Sequence, residues 1–159
     1  MQRSRMMLGL AVAGMAALML SVTQAEDAKD GEKAEVKVVC PVSGKPISKQ
    51  HSVDYKKGEV YFCCPNCPKA FAKSPKKFST KANLQLVQTE QYVQKACPVS
   101  GRELNPAQSL TIKGVEVGFC CPNCKGKVAG LEGEKQVAAV VAEKPFKKAF
   151  EPAKKDDPA

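Results

Sequence analysis

Phe62-Cys63-Cys64-Pro65-Asn66-Cys67 recurs as Phe119-Cys120-Cys121-Pro122-Asn123-Cys124, 57 residues further along the chain. Upstream, Cys40-Pro41-Val42-Ser43-Gly44 recurs as Cys97-Pro98-Val99-Ser100-Gly101 at the same offset. Both copies place 22 residues between their first and second cysteines, so the 159-residue chain carries one unit twice. Every one of the eight cysteines has its counterpart, whereas the single histidine, His51, is matched by Gln108. A role common to both copies therefore cannot depend on histidine, and a His-rich metal site is excluded.

Outward from the repeat, the N-terminal segment has a different character. Met1–Ala25 reads as a secretory signal peptide: Arg3 and Arg5 lead into the apolar run Met6–Leu20, and Thr23-Gln24-Ala25 supplies small residues for cleavage. The run is short for a membrane span, which needs about 20 apolar residues; an uncleaved anchor is the alternative. Cleavage would remove all five methionines and the two arginines, taking the formal charge from +9 to +7. Export, periplasmic or secreted, would place every cysteine in an oxidising compartment. Residues 26–35 are charged and poor in apolar side chains, as a disordered lead-in would be. Unit one is expected over 36–80 and unit two over 93–145. Residues 81–92 read as a linker or a helix, and 146–159 as a loose tail.

The pattern inside each unit predicts a small α+β fold. Val36–Val39 has strand character and enters the first Cys-Pro turn. A hairpin should follow, Ser52–Tyr55 and Glu59–Phe62 around Lys56-Lys57-Gly58, with Val60 and Phe62 on one face. A short helix is expected after Pro65, capped by Asn66, with Pro68 tolerated in its first turn. Pro75 must end or restart it, with Ser74 as the next cap. Unit two repeats the hairpin over Leu110–Ile112 and Val115–Phe119. Gly126 and Gly130 should weaken its short helix. Gln136–Glu143 then reads as a helix with Val137, Val140 and Val141 inward.

Each unit thus offers one cysteine on a tight turn and a Cys-Cys-Pro-Asn-Cys cluster where a hairpin meets a helix, an arrangement that small zinc modules use. A unit of this size buries too little apolar surface to fold securely alone. Thiolate metal binding supplies free energy on the order of 10 kcal/mol. Two disulfides per unit would also suit an exported chain, with pairings such as Cys40 to Cys63 or Cys64 to Cys67. Cys64-Pro-Asn-Cys67 and Cys121-Pro-Asn-Cys124 also have the Cys-x-x-Cys spacing of thiol–disulfide oxidoreductases, although the units are short for a thioredoxin fold. Pro68 and Lys125 follow these motifs, so covalent haem attachment is excluded.

The two cysteine frames, Cys40-x22-Cys63-x3-Cys67 and Cys97-x22-Cys120-x3-Cys124, resemble the TRASH/YHS domain, a Cys-rich treble-clef-like or zinc-ribbon-like module. Phe71, Pro75 and Phe78 also match that family's pattern, while unit two has Val128 at the first of these positions and lacks the proline. The resemblance implies metal binding, often for heavy-metal handling or sensing, through Cys40, Cys63 and Cys67 and their equivalents. A closed zinc site needs a fourth ligand. Related ribbons carry a second cysteine where this chain has Ser43 and Ser100. Cys64 and Cys121 are the donors available to both units, and His51 could serve only unit one. Three sulfurs alone suit Cu(I) as well as zinc.

No catalytic base, nucleophile pair or phosphate loop stands out. The expectation is an exported, non-enzymatic protein that holds zinc, or alternatively copper, for structure or metal handling. A disulfide-stapled interaction module is the competing reading, and a redox enzyme a further one. The spread of lysines reads as a solvated surface rather than a nucleic-acid site.

Overall fold

Two β-hairpins carry the repeat. In the computed structural model, which describes residues 36–154, β1 (Ser48–Tyr55) pairs antiparallel with β2 (Gly58–Phe62). The signal-peptide and lead-in segments expected before residue 36 lie outside the described residues, as do residues 155–159. Each hairpin is longer than its sequence expectation because its first strand continues beyond a bulge. Ser48 pairs with Phe62 and Ser52 with Tyr61, which leaves Lys49, Gln50 and His51 without partners opposite them. Val60 and Phe62 are buried and Tyr61 is only half-buried, as strand alternation requires.

The helix expected after Pro65 is α1 (Asn66–Lys73), but Asn66 is its first residue rather than its cap; Pro65 holds that position. A proline in the helical region just before the first turn already sets the backbone entry. Pro75 starts a second helix, α2 (Pro75–Gln88), with Ser74 as its flanking residue. Residues 81–88 are therefore helix, not linker. A short strand, β3 (Tyr92–Gln94), follows.

The second copy repeats the first. Strands β4 (Asn105–Ile112) and β5 (Val115–Phe119) form its hairpin, with the same bulge between Asn105 and Ser109. Helix α3 (Pro122–Ala129) has eight residues, as α1 does, so Gly126 and Gly130 do not shorten it. Then come α4 (Gly133–Val141) and α5 (Glu143–Ala149), and β6 (Phe150–Pro152), which pairs antiparallel with β3. This corrects the loose tail expected from residue 146. Phe146, Ala149 and Phe150 are buried, and Phe146 stacks on Phe150 with centroids 5.4 Å apart. Those apolar groups supply burial that a Lys- and Pro-rich composition conceals.

The strand expected over Val36–Val39 is reduced to a single bridge, Val39 with Pro46. The chain turns back too soon for more. The Cys40 N–H donates to the Lys45 carbonyl at 2.8 Å, and the Gly44 N–H donates to the Cys40 carbonyl at 2.8 Å. Val36 instead lies over the turn of the second hairpin. A β-carbon on Gly114 (φ +80°) would come 3.2 Å from its side chain, so glycine there serves both the turn and the contact.

One core joins the copies. Helix α2 packs against α4 and α5, and Val137, Val140 and Val141 point inward as their spacing predicts. Buried Asn83 of α2 donates to the Val141 carbonyl at 2.8 Å. Lys56, at the tip of the first hairpin, reaches Glu143 of α5 at 2.9 Å and lies over the rings of Tyr55 and Phe146. Within unit one, Phe71 meets Phe62 and Tyr55 edge-on, with centroids 5.4 and 5.3 Å apart. Such pairs add about 0.5–1.5 kcal/mol beyond burial. Val128 is buried at the matching place in unit two.

Candidate metal centres

Three elements converge in each copy. The first turn carries Cys40, the residue after β2 is Cys63, and the first turn of α1 carries Cys67. Their sulfurs all lie within 4.8 Å of one another, and Cys97, Cys120 and Cys124 form the same trio in the second copy. The Cys63 and Cys67 Sγ atoms are 3.6 Å apart, as are those of Cys120 and Cys124. The first turn explains the approach. Gly44 (φ +73°) and Gly101 (φ +77°) adopt a left-handed conformation that only glycine takes without strain, which folds each turn over its own cysteine.

The first and third sulfurs sit in opposite electrostatic settings. Burial opposes ionisation of Cys40, but the Ser43 hydroxyl and the N–H groups of Ser43, Cys63 and Val42 outweigh it and bring the thiol down to about 7. At Cys97, burial is likewise outweighed by the Ser100 hydroxyl and by the N–H groups of Ser100, Cys120 and Val99, to about 6. Cys67 and Cys124 are pushed up to about 12, first by burial and then by the neighbouring sulfurs. Without a metal, each trio therefore combines a ready thiolate with a reluctant one. A cation bound to all three offsets both the burial and the neighbouring sulfurs that hold the last proton on.

Among the residues proposed as fourth donors, none joins a trio. Cys64 lies outside its trio, with Sγ 3.5 Å from that of Cys67; Cys121 lies outside the other, with Sγ 3.6 Å from that of Cys120. N–H groups of Asn66 and Cys67 lower the Cys64 thiol, and those of Cys124 and Asn123 contribute in the same sense at Cys121. His51 sits in the β1 bulge and is not part of the first trio. Ser43 does remain at the site, its hydroxyl 3.1 Å from the Cys63 sulfur, and Ser100 stands at 3.1 Å from Cys120. All eight cysteines are free, with the contacting sulfurs 3.5–3.6 Å apart rather than bonded at about 2.05 Å.

Two glutamines that the repeat does not reveal hold the sites in shape. Gln85 of α2 accepts from the Tyr61 N–H at 2.6 Å and donates to the carbonyls of Tyr61 and Val39 at 3.0 and 3.1 Å. In the second copy the same three functions fall to Gln94 of β3. It accepts from the Gly118 N–H at 2.8 Å and donates to the carbonyls of Gly118 and Ala96 at 2.8 and 2.9 Å. Tyr61 and Gly118 are equivalent in the repeat, as are Val39 and Ala96, but Gln85 and Gln94 are not. Each amide ties the strand leading into the second cysteine to the residue just before the first. Gln91 extends the support along β2, accepting from the Glu59 N–H at 2.6 Å and donating to its carbonyl at 2.8 Å. The signal was present only as polar residues in a helix and a strand, which single-residue patterns assign to solvent.

The donor set fits a soft metal ion. Tetrahedral zinc–sulfur bonds of about 2.3 Å separate their sulfurs by about 3.8 Å, close to the 3.6 Å seen in each trio. Each trio can hold one ion, and its sulfur donors suit zinc and Cu(I) alike. Among the described residues, no helix is long and apolar enough to cross a membrane. Compared with protein families, characterised proteins and solved structures, the chain matches none.

Proposed function

We propose that this chain is a non-enzymatic metal-binding protein that carries two soft metal ions, one in each cysteine trio. The observation that supports it is the repetition of one three-sulfur geometry at Cys40, Cys63, Cys67 and at Cys97, Cys120, Cys124. Disulfide staples, two per unit, would need bonded sulfurs, whereas a thiolate metal site needs free ones at van der Waals distance, as in the trios. The cysteine spacing and its resemblance to TRASH/YHS modules support a treble-clef-like ancestry for each unit and a role in handling zinc or copper. Met1–Ala25 supports export as the setting. An exported thiolate site keeps its sulfurs reduced by holding metal, which protects them in an oxidising compartment.

The test is metal content. Protein purified from its native compartment should carry about two ions per chain, zinc or copper, by plasma mass spectrometry. An intact mass lower by the hydrogens of four disulfides, with no metal, would overturn the reading in favour of a stapled interaction module. Insulin-reductase activity in the metal-free protein would favour the redox alternative.

A further inference from the structure

In both copies one sulfur is left outside the trio, in contact with the third ligand in the first copy and with the second ligand in the other. Cys64 is partly exposed and 3.5 Å from the sulfur of buried Cys67. Cys121 is partly exposed and 3.6 Å from the sulfur of Cys120. Each first and third ligand of the trios is buried, while the second ligand and the outer cysteine are both partly exposed. The outer sulfur is too far out to complete the trio, yet its contact with one trio sulfur is close to the spacing of about 3.8 Å at which two thiolates share a zinc ion.

We propose that Cys64 and Cys121 are exchange ligands, through which a soft metal ion enters and leaves the buried trios. The inference rests on the two-ion reading above and gives that site its route of loading. In one exchange step a bond from the ion to the Cys64 sulfur forms and its bond to the Cys67 sulfur breaks. Cys64 gives up its thiol proton and the freed Cys67 sulfur takes one up. Charge and the number of metal–sulfur bonds are conserved, and no electron moves. In the second copy Cys121 relieves Cys120 in the same way. An ion held by three sulfurs keeps an open fourth position, which a neighbouring sulfur can fill before any bond to the trio breaks. The outer sulfur allows the new bond to form first. Transfer to or from a soluble thiolate carrier then needs contact only with the outer cysteine.

The full chain is loaded with Zn²⁺, and its release to a chromophoric chelator is followed by stopped flow, for the wild type and for Cys64→Ser with Cys121→Ser. Serine keeps an oxygen able to cap the following helix but is a poor ligand for soft metals. The expected result is about two ions bound in both proteins, with release slowed at least about 10-fold in the variant, the low end of what groups beside metal ligands contribute to affinity or activity. Unchanged release would overturn the proposal and leave these cysteines as helix-end groups. Loss of bound zinc in the variant would also overturn it, by making them true fourth ligands. Should the variant fail to fold by circular dichroism, alkylation of the outer cysteines in the loaded wild type gives the same comparison. Slowed release at two bound ions supports the proposal, and unchanged release opposes it. A wild type that binds no zinc or copper would fail the two-ion reading itself.

Discussion

Gln85 and Tyr61 exchange two hydrogen bonds, with the Tyr61 N–H donating to Gln85 Oε1 at 2.6 Å and Gln85 Nε2 donating to the Tyr61 carbonyl at 3.0 Å. The amide stands where a third strand would, and its remaining donor bond, to Val39, tethers the first cysteine turn. Gln85 is 1% exposed, so water cannot replace it.

Replacing Gln85 with Leu should therefore destabilise the protein by about 2–4 kcal/mol, because it leaves backbone groups buried and unpaired. Gln94→Leu should cost less, since Gln94 is only partly buried. Urea unfolding of the metal-free reduced protein measures both. Equal, negligible effects would contradict the bracing role.

Ser100 should control the protonation of its site. Although burial opposes ionisation, the Ser100 hydroxyl and surrounding N–H groups hold Cys97 at about 6, below the ordinary thiol value of about 8.5. A value depressed in the folded state contributes stability that is fully present above about 8.5 and is lost as pH falls toward about 6. Ser100→Ala should shift thiolate absorbance in the metal-free protein to higher pH and flatten the stability gain over that window. An unshifted titration would remove the serine from this role.

Lys56 docks the first hairpin on α5 in two ways, by its ion pair with Glu143 at 2.9 Å and by its place over Tyr55 and Phe146. The Lys56 hydrogen bond holds the Glu143 carboxyl below the usual carboxylate range. Its contribution is present above about 4.3 and is lost as pH falls through the lowered folded value. Glu143 is 46% exposed, so Glu143→Gln should cost less than about 1 kcal/mol. Lys56→Ala should cost more, about 1–2 kcal/mol, because the ring contacts go too. Thermal unfolding of the two variants at pH 7 orders them.

The C-terminal strand should be needed for stability. Removing residues 150–159 deletes the partner of β3 and the Phe150 ring that stacks on Phe146. Loss of a buried phenylalanine alone costs about 3–5 kcal/mol. The truncated chain should unfold at lower urea and be cut faster by protease near Tyr92. Unchanged protease resistance would show that β6 adds little.

Much of each site was legible in the order of residues. The hairpin with Val60 and Phe62 inward, the restart at Pro75 and the buried stripe Val137, Val140, Val141 follow from local turn chemistry and alternation, which act over a few residues and leave a pattern. Sequence by itself determined that the chain holds two copies of one cysteine frame, because each frame is built from contiguous turns and a hairpin. Tertiary structure alone decided which sulfurs meet, Cys40 with Cys63 and Cys67 but not Cys64, since that depends on how a turn folds over a helix end. It also decided that Gln85 and Gln94, unrelated in the repeat, do one task, that β3 pairs with β6, and that Lys56 reaches Glu143. These contacts join residues far apart in sequence, where no period or spacing records them, and only the packing of α2, α4 and α5 into one core brings them together.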